Sequence, residues 1–204
     1  MMTVKYTKDQ IDEVAQIIKD GGMVAFPTDT VYGLAVSVNN FSAIEKLKVA
    51  KGRPEDKPFP MMVDSVEQLK TVAIVNDKQE KVIEKFMPGP LTIVFNKKDN
   101  LSDVVTNSLK TVGIRMPDDE WVLKLIELVG CPLLVPSANL SGGKTCYDYN
   151  EVLDQLNGRI DGIVIGKSGA LRSSTIVDMS SEEIKLIRQG IISLKEIEEV
   201  VNER

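Results

Sequence analysis

The chain has 204 residues, of which 43% are hydrophobic and 27% charged, with a formal net charge of -5 and no histidine. This length suits one domain with a real core, and the acidic balance argues against a protein that coats nucleic acid without sequence preference. The lack of histidine excludes Ser–His and Cys–His nucleophile pairs and removes the commonest transition-metal ligand. The remaining chemistry works by positioning substrates and offsetting charge.

Cys131 and Cys146 are the two cysteines of the chain. Two thiols in a chain of this length are too few for a disulfide framework and lack partners for a metal site, so we expect reduced thiols. The first residues lack the apolar run of a signal peptide, and no stretch approaches the roughly 18 apolar residues of a membrane span. We therefore expect a cytoplasmic protein that does not contact a membrane.

Apolar positions at helical spacing alternate with short apolar or β-branched runs along the whole chain. Helices are predicted, in chain order, from Thr7, from Asn40, from Ser65, over 76–86, over 118–129, over 148–156 and from Ser193. Strands are predicted at residues 23–26, 31–36, 60–63, 91–95, 111–115, 132–136, 160–165, 174–178 and 184–188. Residues 97–110 are polar, and we predict a mobile loop there.

This alternation of strands and helices predicts an α/β fold, in which helices pack on a twisted sheet. Some successive strands have no helix between them, so the sheet is predicted to be mixed rather than purely parallel. No internal repeat, low-complexity segment or obvious linker interrupts the pattern. We therefore predict a single domain over residues 1–204.

The stretch KVAKGRPEDKPFP, residues 48–60, is both cationic and stiff. Its cations and prolines are Lys48, Lys51, Arg53, Lys57, Pro54, Pro58 and Pro60. Cations at a helix end complement the helix dipole, so an ordinary solvated helix C-terminus is one interpretation. Prolines lower the entropy cost of holding charges in place, and the arginine fork fits phosphate oxygens, so a phosphate clamp or a nucleic-acid patch is also open.

A second candidate is VPSANLSGGKT, residues 135–145, which ends with the letters of a phosphate-binding loop. That motif requires a glycine where this chain has Ala138, so we reject it. What remains is a strand end that carries Ser137, Asn139 and Ser141. It is either a turn of ordinary turn formers or a set of donors at the carboxyl end of a strand, where α/β sheets bind ligands.

Two weaker groups of polar residues complete the candidates. In FPTDTVYGLA, the hydroxyls of Thr28, Thr30 and Tyr32 alternate along a predicted extended segment and would point to one side. They are either plain surface or the lining of a pocket for a small polar ligand. Arg115 and Arg188 each close a predicted strand, and together with SST at residues 173–175 they suggest one rim.

Seven motifs occur in a characteristic order over about residues 8 to 200: PTDTVYGL, AKGRP, PGPLTIVF, TVGIRMP, PSANLSG, SSTIVD and IRQG. In order and spacing they resemble the YrdC-like family, whose best-known activity is that of a threonylcarbamoyl-AMP synthase. The resemblance implies the YrdC-like fold with a concave, positively charged cleft. It also implies the short, single-domain form, without the additional C-terminal domain of longer family members.

The activity implied by the resemblance is that of a nucleotidyltransferase. L-threonine takes up bicarbonate or CO2 as a carbamate, which attacks the α-phosphate of ATP and gives threonylcarbamoyl-AMP and pyrophosphate. Mg²⁺ is expected with the ATP. A downstream tRNA threonylcarbamoyl-transferase complex then modifies an adenosine beside the anticodon.

The resemblance also implies roles for individual residues. The family signature, Lys-x-Arg followed later by Ser-x-Asn, falls on the expected catalytic residues Lys51, Arg53, Ser137 and Asn139. The expected nucleotide-binding residues are Arg53, Lys57, Thr111, Ser137 and Arg188. The expected threonine-binding residues are Thr30, Arg115, Val135 through its backbone, and Ser174. No dedicated metal ligand is implied. Many synthases have asparagine in place of Lys57 and, at the threonine site, histidine in place of Met62.

Two other functions stay open at this stage. The first is an RNA-binding factor without catalysis, which contacts tRNA or double-stranded RNA through the cationic cleft during maturation. Residues 48–57 allow this, because four cations there outweigh Glu55 and Asp56. The second is a related enzyme that transfers a carbamoyl group from carbamoyl phosphate to adenylate, although such family members normally lie within larger chains.

Overall fold

The structure, a computed structural model, describes residues 2–53, 57–169 and 173–203. Pro54, Glu55 and Asp56 of the cationic stretch lie outside the described residues. In chain order the elements are β1 (Val4–Tyr6), a 3-10 turn (Lys8–Gln10), α1 (Ile11–Lys19), β2 (Val24–Phe26), β3 (Gly33–Ser37), α2 (Phe41–Lys51), β4 (Met61–Met62), α3 (Val66–Val72), β5 (Ala73–Ile74), α4 (Asp77–Phe86), β6 (Leu91–Lys97), α5 (Asp103–Thr106), β7 (Thr111–Arg115), α6 (Glu120–Val129), β8 (Leu133–Leu134), α7 (Tyr149–Leu156), β9 (Gly162–Val164), β10 (Thr175–Asp178), β11 (Lys185–Arg188) and α8 (Leu194–Asn202).

Side chains cap the N-termini of α2, α3 and α8. The Asn40 side chain accepts a hydrogen bond from the Ala43 N–H at 3.0 Å, and Ser65 accepts one from the Gln68 N–H at 3.2 Å. Ser193 opens α8 in the same way. Each cap satisfies a backbone donor that the first helical turn leaves without a partner. These three predicted helix starts are confirmed.

The strands form a mixed sheet, as predicted. Its order is β1-β9-β2-β3-β8-β4-β7-β6-β10-β11, with β5 paired to β6 outside this path. The pairs β1–β9, β2–β9, β4–β7 and β6–β10 are parallel, whereas the other neighbours are antiparallel. Helices α1 and α6 contact each other, as do α4 and α8. None of the helices in the described ranges has the length and apolar character needed to span a bilayer.

Strand alternation gives the β6–β7–β10 part of the sheet two different faces. Ile93, Phe95, Val112, Ile114 and Val177 point to one face and belong to the hydrophobic core. Burying side chains of this size contributes about 1.5–3 kcal/mol each. The residues between them therefore point to the opposite face, where the candidate site lies.

The structure differs from the sequence-based prediction at β1, at β5 and over residues 97–110. Strands β1 and β5 were missed, because they are three and two residues long and carry no clear alternation. The prediction of a polar mobile loop over residues 97–110 was wrong. This segment contains α5, and Leu101 and Val105 anchor it in the core. These two buried residues hold a mostly polar stretch, and composition alone did not reveal which of its apolar residues are buried.

Candidate functional site

Two cavities lie side by side, a large one on the open face of β6, β7 and β10 and a small one at the end of α2. The large cavity has a volume of about 440 Å³ and the small cavity of about 350 Å³. Arg53 and Ser137 line both of them. The two cavities therefore meet at one residue from the cationic stretch and one from the segment after β8.

The floor of the large cavity is made by alternate residues of neighbouring strands. They are Thr92 and Val94 of β6, Thr111, Gly113 and Arg115 of β7, and Ile176 and Asp178 of β10. Val94 pairs directly with Gly113 on one side and with Asp178 on the other. The walls of the large cavity include residues 58–62 and 135–137. The sheet thus presents adjacent rows of side chains from three chain segments to a ligand.

Lys51 is the last residue of α2 and is only 2% exposed. Its Nζ donates to the Ser137 carbonyl oxygen at 2.5 Å and to the Asn139 carbonyl oxygen at 2.6 Å. Burial, together with the nearby Arg53 guanidinium, lowers the pKa of Lys51 to about 8. The ammonium therefore joins the end of α2 to the PSAN segment and adds positive charge to the wall of the small cavity.

Arg53 is held by three contacts beside Gly52, the left-handed residue that ends α2. Its guanidinium lies 4.9 Å from the centre of the Phe59 ring, a cation–π arrangement. Its Nε donates to the Lys57 carbonyl oxygen at 3.0 Å and its Nη2 to the Pro58 carbonyl oxygen at 2.7 Å. The guanidinium is therefore fixed in place before any ligand binds.

Two polar residues of PSANLSG (136–142), Asn139 and Ser141, line the small cavity. Asn139 donates through Nδ2 to the carbonyl oxygens of Leu140 and Gly143, at 2.7 and 3.1 Å. Its Oδ1 and the Ser141 Oγ are buried and make no hydrogen bond within the part of the chain that the structure describes. A buried polar atom without a partner is costly, so these two atoms are a local cost of this segment. Lys57 lines the outer part of this cavity and is exposed.

Arg115 lies at the other end of the large cavity and is buried. It donates through Nε to the Gly89 carbonyl oxygen at 2.9 Å, through Nη1 to the Thr30 hydroxyl at 2.6 Å, and through Nη2 to the Asp29 carboxylate at 2.5 Å. Burial raises the pKa of Asp29, and the Arg115 charge opposes that rise. Sequence reasoning missed Asp29, although it stands between two threonines in the PTDT motif.

Arg188 and Ser174 form a second polar group in the large cavity. The Nε and Nη2 of Arg188 donate to the Ser174 carbonyl oxygen at 3.1 and 2.9 Å, and Nη2 also donates to the Ser174 hydroxyl at 3.1 Å. That hydroxyl lies 3.1 Å from the Thr92 hydroxyl. Burial lowers the pKa of Arg188. Hydrogen bonds thus join Arg188 of β11 to Ser174, which precedes β10, and Ser174 to Thr92 of β6.

The hydroxyls of the PTDTVY segment do not follow a strand, contrary to the prediction, because β3 begins only at Gly33. Thr28, Thr30 and Tyr32 are nevertheless buried and line the large cavity. The Thr28 and Thr30 hydroxyls lie 3.2 Å apart, and the Tyr32 hydroxyl donates to the Val164 carbonyl oxygen. Of the two interpretations left open for these hydroxyls, the structure supports the pocket.

Every predicted site residue lines one of the two cavities. The large cavity receives Thr30, Arg53, Thr111, Arg115, Val135, Ser137, Ser174 and Arg188. The small cavity receives Lys51, Arg53, Lys57, Ser137 and Asn139. The Val135 N–H already donates a hydrogen bond to the Pro60 carbonyl oxygen at 2.9 Å. Met62, at the position where many synthases have histidine, is buried and lines the large cavity.

Charge on the two cavity walls is mostly positive among the described residues. The basic lining residues are Lys51, Arg53, Lys57, Arg115 and Arg188. Asp178 is the acidic lining residue in the described part of the chain, and sequence reasoning missed it. A net positive cleft stays a prediction, because Glu55 and Asp56 lie outside the described residues. Within those residues, no group of three or more potential metal ligands occurs.

The sequence of this chain matches a family model and is similar to individual known proteins. The Sua5/YciO/YrdC family model, described as "Telomere recombination", matches residues 16–190. A threonylcarbamoyl-AMP synthase of Pyrococcus abyssi is 37% identical over 210 residues, which cover 100% of this chain and 62% of that protein. A threonylcarbamoyl-AMP synthase of Bacillus subtilis is 39% identical over 195 residues, which cover 94% of this chain and 56% of that protein.

A solved structure supports the same relationship. The crystal structure of P. abyssi Sua5 complexed with L-threonine matches with a TM-score of 0.91 and 37% identity, and the match covers 99% of this chain and 61% of that chain. The chain thus spans about three fifths of the length of these relatives.

Proposed function

Because this chain belongs to the Sua5/YciO/YrdC family, we propose that it is an L-threonylcarbamoyladenylate synthase. It uses ATP, L-threonine and bicarbonate or CO2, and it releases threonylcarbamoyl-AMP and pyrophosphate. The observation that carries this proposal is the pair of adjoining cavities that share Arg53 and Ser137. A displacement at the α-phosphorus needs such a junction, since one product stays with the nucleoside and the other leaves as pyrophosphate.

In this proposal the bond changes take place at the junction of the cavities. A carbamate oxygen of N-carboxythreonine forms a bond to the α-phosphorus, and the bond from that phosphorus to the bridging oxygen of pyrophosphate breaks. Arg53 offsets the charge that develops there, and Lys51 with Lys57 holds the leaving pyrophosphate in the small cavity. Positioning and charge neutralisation carry most of such a reaction, so a chain without histidine is able to perform it.

The large cavity would hold threonine and the nucleoside. Thr30, Arg115 and Ser174 form its polar end, and this end suits the amino acid. The Arg115 guanidinium already donates to the Gly89 carbonyl oxygen, the Thr30 hydroxyl and the Asp29 carboxylate. These bonds leave two further N–H groups for a threonine carboxylate. Thr111, at the end of β7 remote from Arg115, and Arg188 of β11 would contact the nucleotide.

Mg²⁺ would arrive with the ATP rather than be held by a protein cage. The described residues offer no cluster of three potential ligands, and Mg²⁺ commonly stays bound to phosphate oxygens and water. We place the reaction in the cytoplasm. There a downstream transferase complex would pass the threonylcarbamoyl group to tRNA.

The proposal is tested by incubating the protein with Mg-ATP, bicarbonate and labelled threonine, and by measuring pyrophosphate and labelled adenylate. We expect pyrophosphate release that depends on both threonine and bicarbonate. Release that is independent of threonine, or absent, overturns the proposal. If release is absent while RNA binds with an affinity that falls steeply with salt, the protein is instead an RNA-binding factor.

A further inference from the structure

The segment after β11, residues 189–192, packs on the segment that leads into β10, residues 173–175. The contact joins the IRQG and SSTIVD motifs of the sequence. Arg188, just before the first segment, and Ser174, within the second, line the large cavity, whereas residues 189–192 do not. The segment after β11 is therefore placed behind two residues of the cavity.

Gly190 is the point of closest approach between the two segments. A Cβ at this position would stand 2.5 Å from the Ser173 carbonyl oxygen, and closer still to the Ser174 carbonyl carbon and the Thr175 nitrogen. These three atoms belong to the backbone, so no side-chain rotation could relieve the overlap. The φ angle of Gly190 is not positive, so its conformation alone does not demand glycine. Glycine is required here because two backbone segments approach each other closely.

A buried hydroxyl fastens the two segments together. The Gly190 N–H donates to the Thr175 hydroxyl at 3.0 Å, and that hydroxyl donates to the Ile192 carbonyl oxygen at 2.5 Å. Thr175 is fully buried, and its own N–H donates to the Pro90 carbonyl oxygen at 3.0 Å, next to β6. The segment after β11 is thus anchored to the buried start of β10.

This anchor sets the position of Arg188. The guanidinium donates to the Ser174 carbonyl oxygen at 3.1 and 2.9 Å and to the Ser174 hydroxyl at 3.1 Å. Among the described residues β11 is the last strand in the sheet order, and its pairing with β10 shifts register between Ile176 and Val177. Strand pairing alone therefore places Arg188 loosely. A Cβ at Gly190 needs about 1 Å more room, and a shift of that size takes these hydrogen bonds out of range.

We propose that Gly190 is a positioning residue for ATP binding: its backbone, held by the Thr175 hydroxyl, keeps the Arg188 guanidinium at the nucleotide. This inference rests on the proposed function, in which Arg188 contacts ATP. Gly190 acts through Arg188, since neither Gly190 nor Thr175 lines the cavity. A displacement of about 1 Å is enough to weaken a contact that depends on exact placement.

The direct test measures equilibrium binding of Mg-ATP to the wild type and to Gly190→Ala. We expect the affinity to fall about tenfold, as when a hydrogen bond to a charged group is lost. The decisive measurement is a double-mutant cycle. With Arg188→Ala already present, adding Gly190→Ala should weaken ATP binding by less than about twofold, because the group that Gly190 positions is gone. A purely structural glycine would lower the affinity by the same factor in both backgrounds.

Gly22→Ala is the matched control. A Cβ at Gly22 would overlap the Ile17 side chain and stand 2.9 Å from the Ile17 carbonyl oxygen, and Gly22 lines neither cavity. The substitution should lower the melting temperature, as Gly190→Ala does, but leave ATP affinity within about twofold of the wild type. This control separates loss of stability from loss of positioning.

A second pair of variants tests the same role if Gly190→Ala does not fold. Thr175→Val removes the hydroxyl with little change of shape and leaves the Gly190 N–H without its acceptor. We expect ATP binding to weaken about threefold. Thr175→Ser retains the hydroxyl and should restore the affinity to within about twofold of the wild type.

The outcomes separate this inference from the function on which it rests. Unchanged ATP affinity in Gly190→Ala or Thr175→Val, in a protein that shows threonine-dependent pyrophosphate release, overturns the positioning role alone. Equal losses in the presence and absence of the Arg188 side chain overturn it as well. Thr175→Ser that binds ATP as weakly as Thr175→Val shows that the hydroxyl is not the anchor, and the inference is wrong. A wild type that neither binds ATP nor releases pyrophosphate overturns both proposals.

Discussion

The two cavities are adjacent but are built in different ways. The large cavity stands on a sheet, and alternate residues of β6, β7 and β10 form its floor. The small cavity is made by the end of α2 and the segment after β8, joined by the buried Lys51 ammonium. A sheet floor displays varied side chains in fixed rows, which suits recognition of a whole substrate. A helix end and a loop concentrate positive charge, which suits a leaving phosphate group.

The largest effect is expected where the cavities meet. Arg53→Ala should lower turnover about 10²–10³-fold, as the loss of a preorganised charge-stabilising group does in other enzymes. Stability should fall by only about 1 kcal/mol, because the guanidinium lies at the surface of the fold. Steady-state kinetics and chemical denaturation measure the two effects.

Lys48→Ala is the matched control for Arg53→Ala. It removes the same charge from a side chain that pairs with Glu45 at 2.8 Å and lines neither cavity. It should leave turnover within about twofold of the wild type. A parallel loss of stability and turnover in Arg53→Ala would show that Arg53 is structural.

Asp29→Asn tests the polar end of the large cavity. Removing one partner of a buried ion pair leaves the Arg115 charge uncompensated, so we expect a loss of about 3 kcal/mol in unfolding free energy. The KM for threonine should rise more than the KM for ATP, since Arg115 lies at the proposed threonine end.

The exposed Asp20, which accepts a hydrogen bond from Gln16, provides the control substitution Asp20→Asn. It should change neither KM. An equal rise of both KM values in Asp29→Asn would mean that the two ends of the large cavity are not separate.

Lys51 should make stability depend on pH. Its pKa in the folded chain is about 8, below the ordinary value of 10.5, so the unfolded chain binds more protons between these values. Unfolding free energy contributed by Lys51 is therefore lowest below pH 8 and rises by about 1.4 kcal/mol per pH unit through this window. Denaturation of the wild type and of Lys51→Met from pH 7 to 10 measures this slope. A slope that the substitution leaves unchanged would contradict the prediction.

The smallest effect is expected at the outer part of the small cavity. Lys57 is exposed, so Lys57→Asn should weaken pyrophosphate binding only about threefold at low salt and not at all at high salt. Titration of pyrophosphate at two ionic strengths measures this. An effect as large as that of Arg53→Ala, or one that salt does not reduce, would contradict a weak, solvent-screened contribution of Lys57.

The strand-floor residues could have been predicted more completely than they were. Thr111 and Arg115 were identified in TVGIR, and a period of two places Gly113 on the same face. The same rule relates Ser174 to Ile176 and Asp178. Asp29 was within a quoted motif, but its partner Arg115 is 86 residues away, and no local pattern indicates that pairing. The buried state of Lys51 was equally hidden, because a lysine at a helix end is normally exposed.

The sequence alone determined the alternation of strands and helices, the helix caps, the family resemblance and the set of candidate residues. These depend on local spacing and on short motifs, which are properties of neighbouring residues. Only the tertiary structure decided which residues share a cavity. It joined Lys51 to carbonyl oxygens of the PSAN segment and brought Gly113, Val94 and Asp178 into one row. Such contacts depend on strand order and register, which form between segments far apart in the chain.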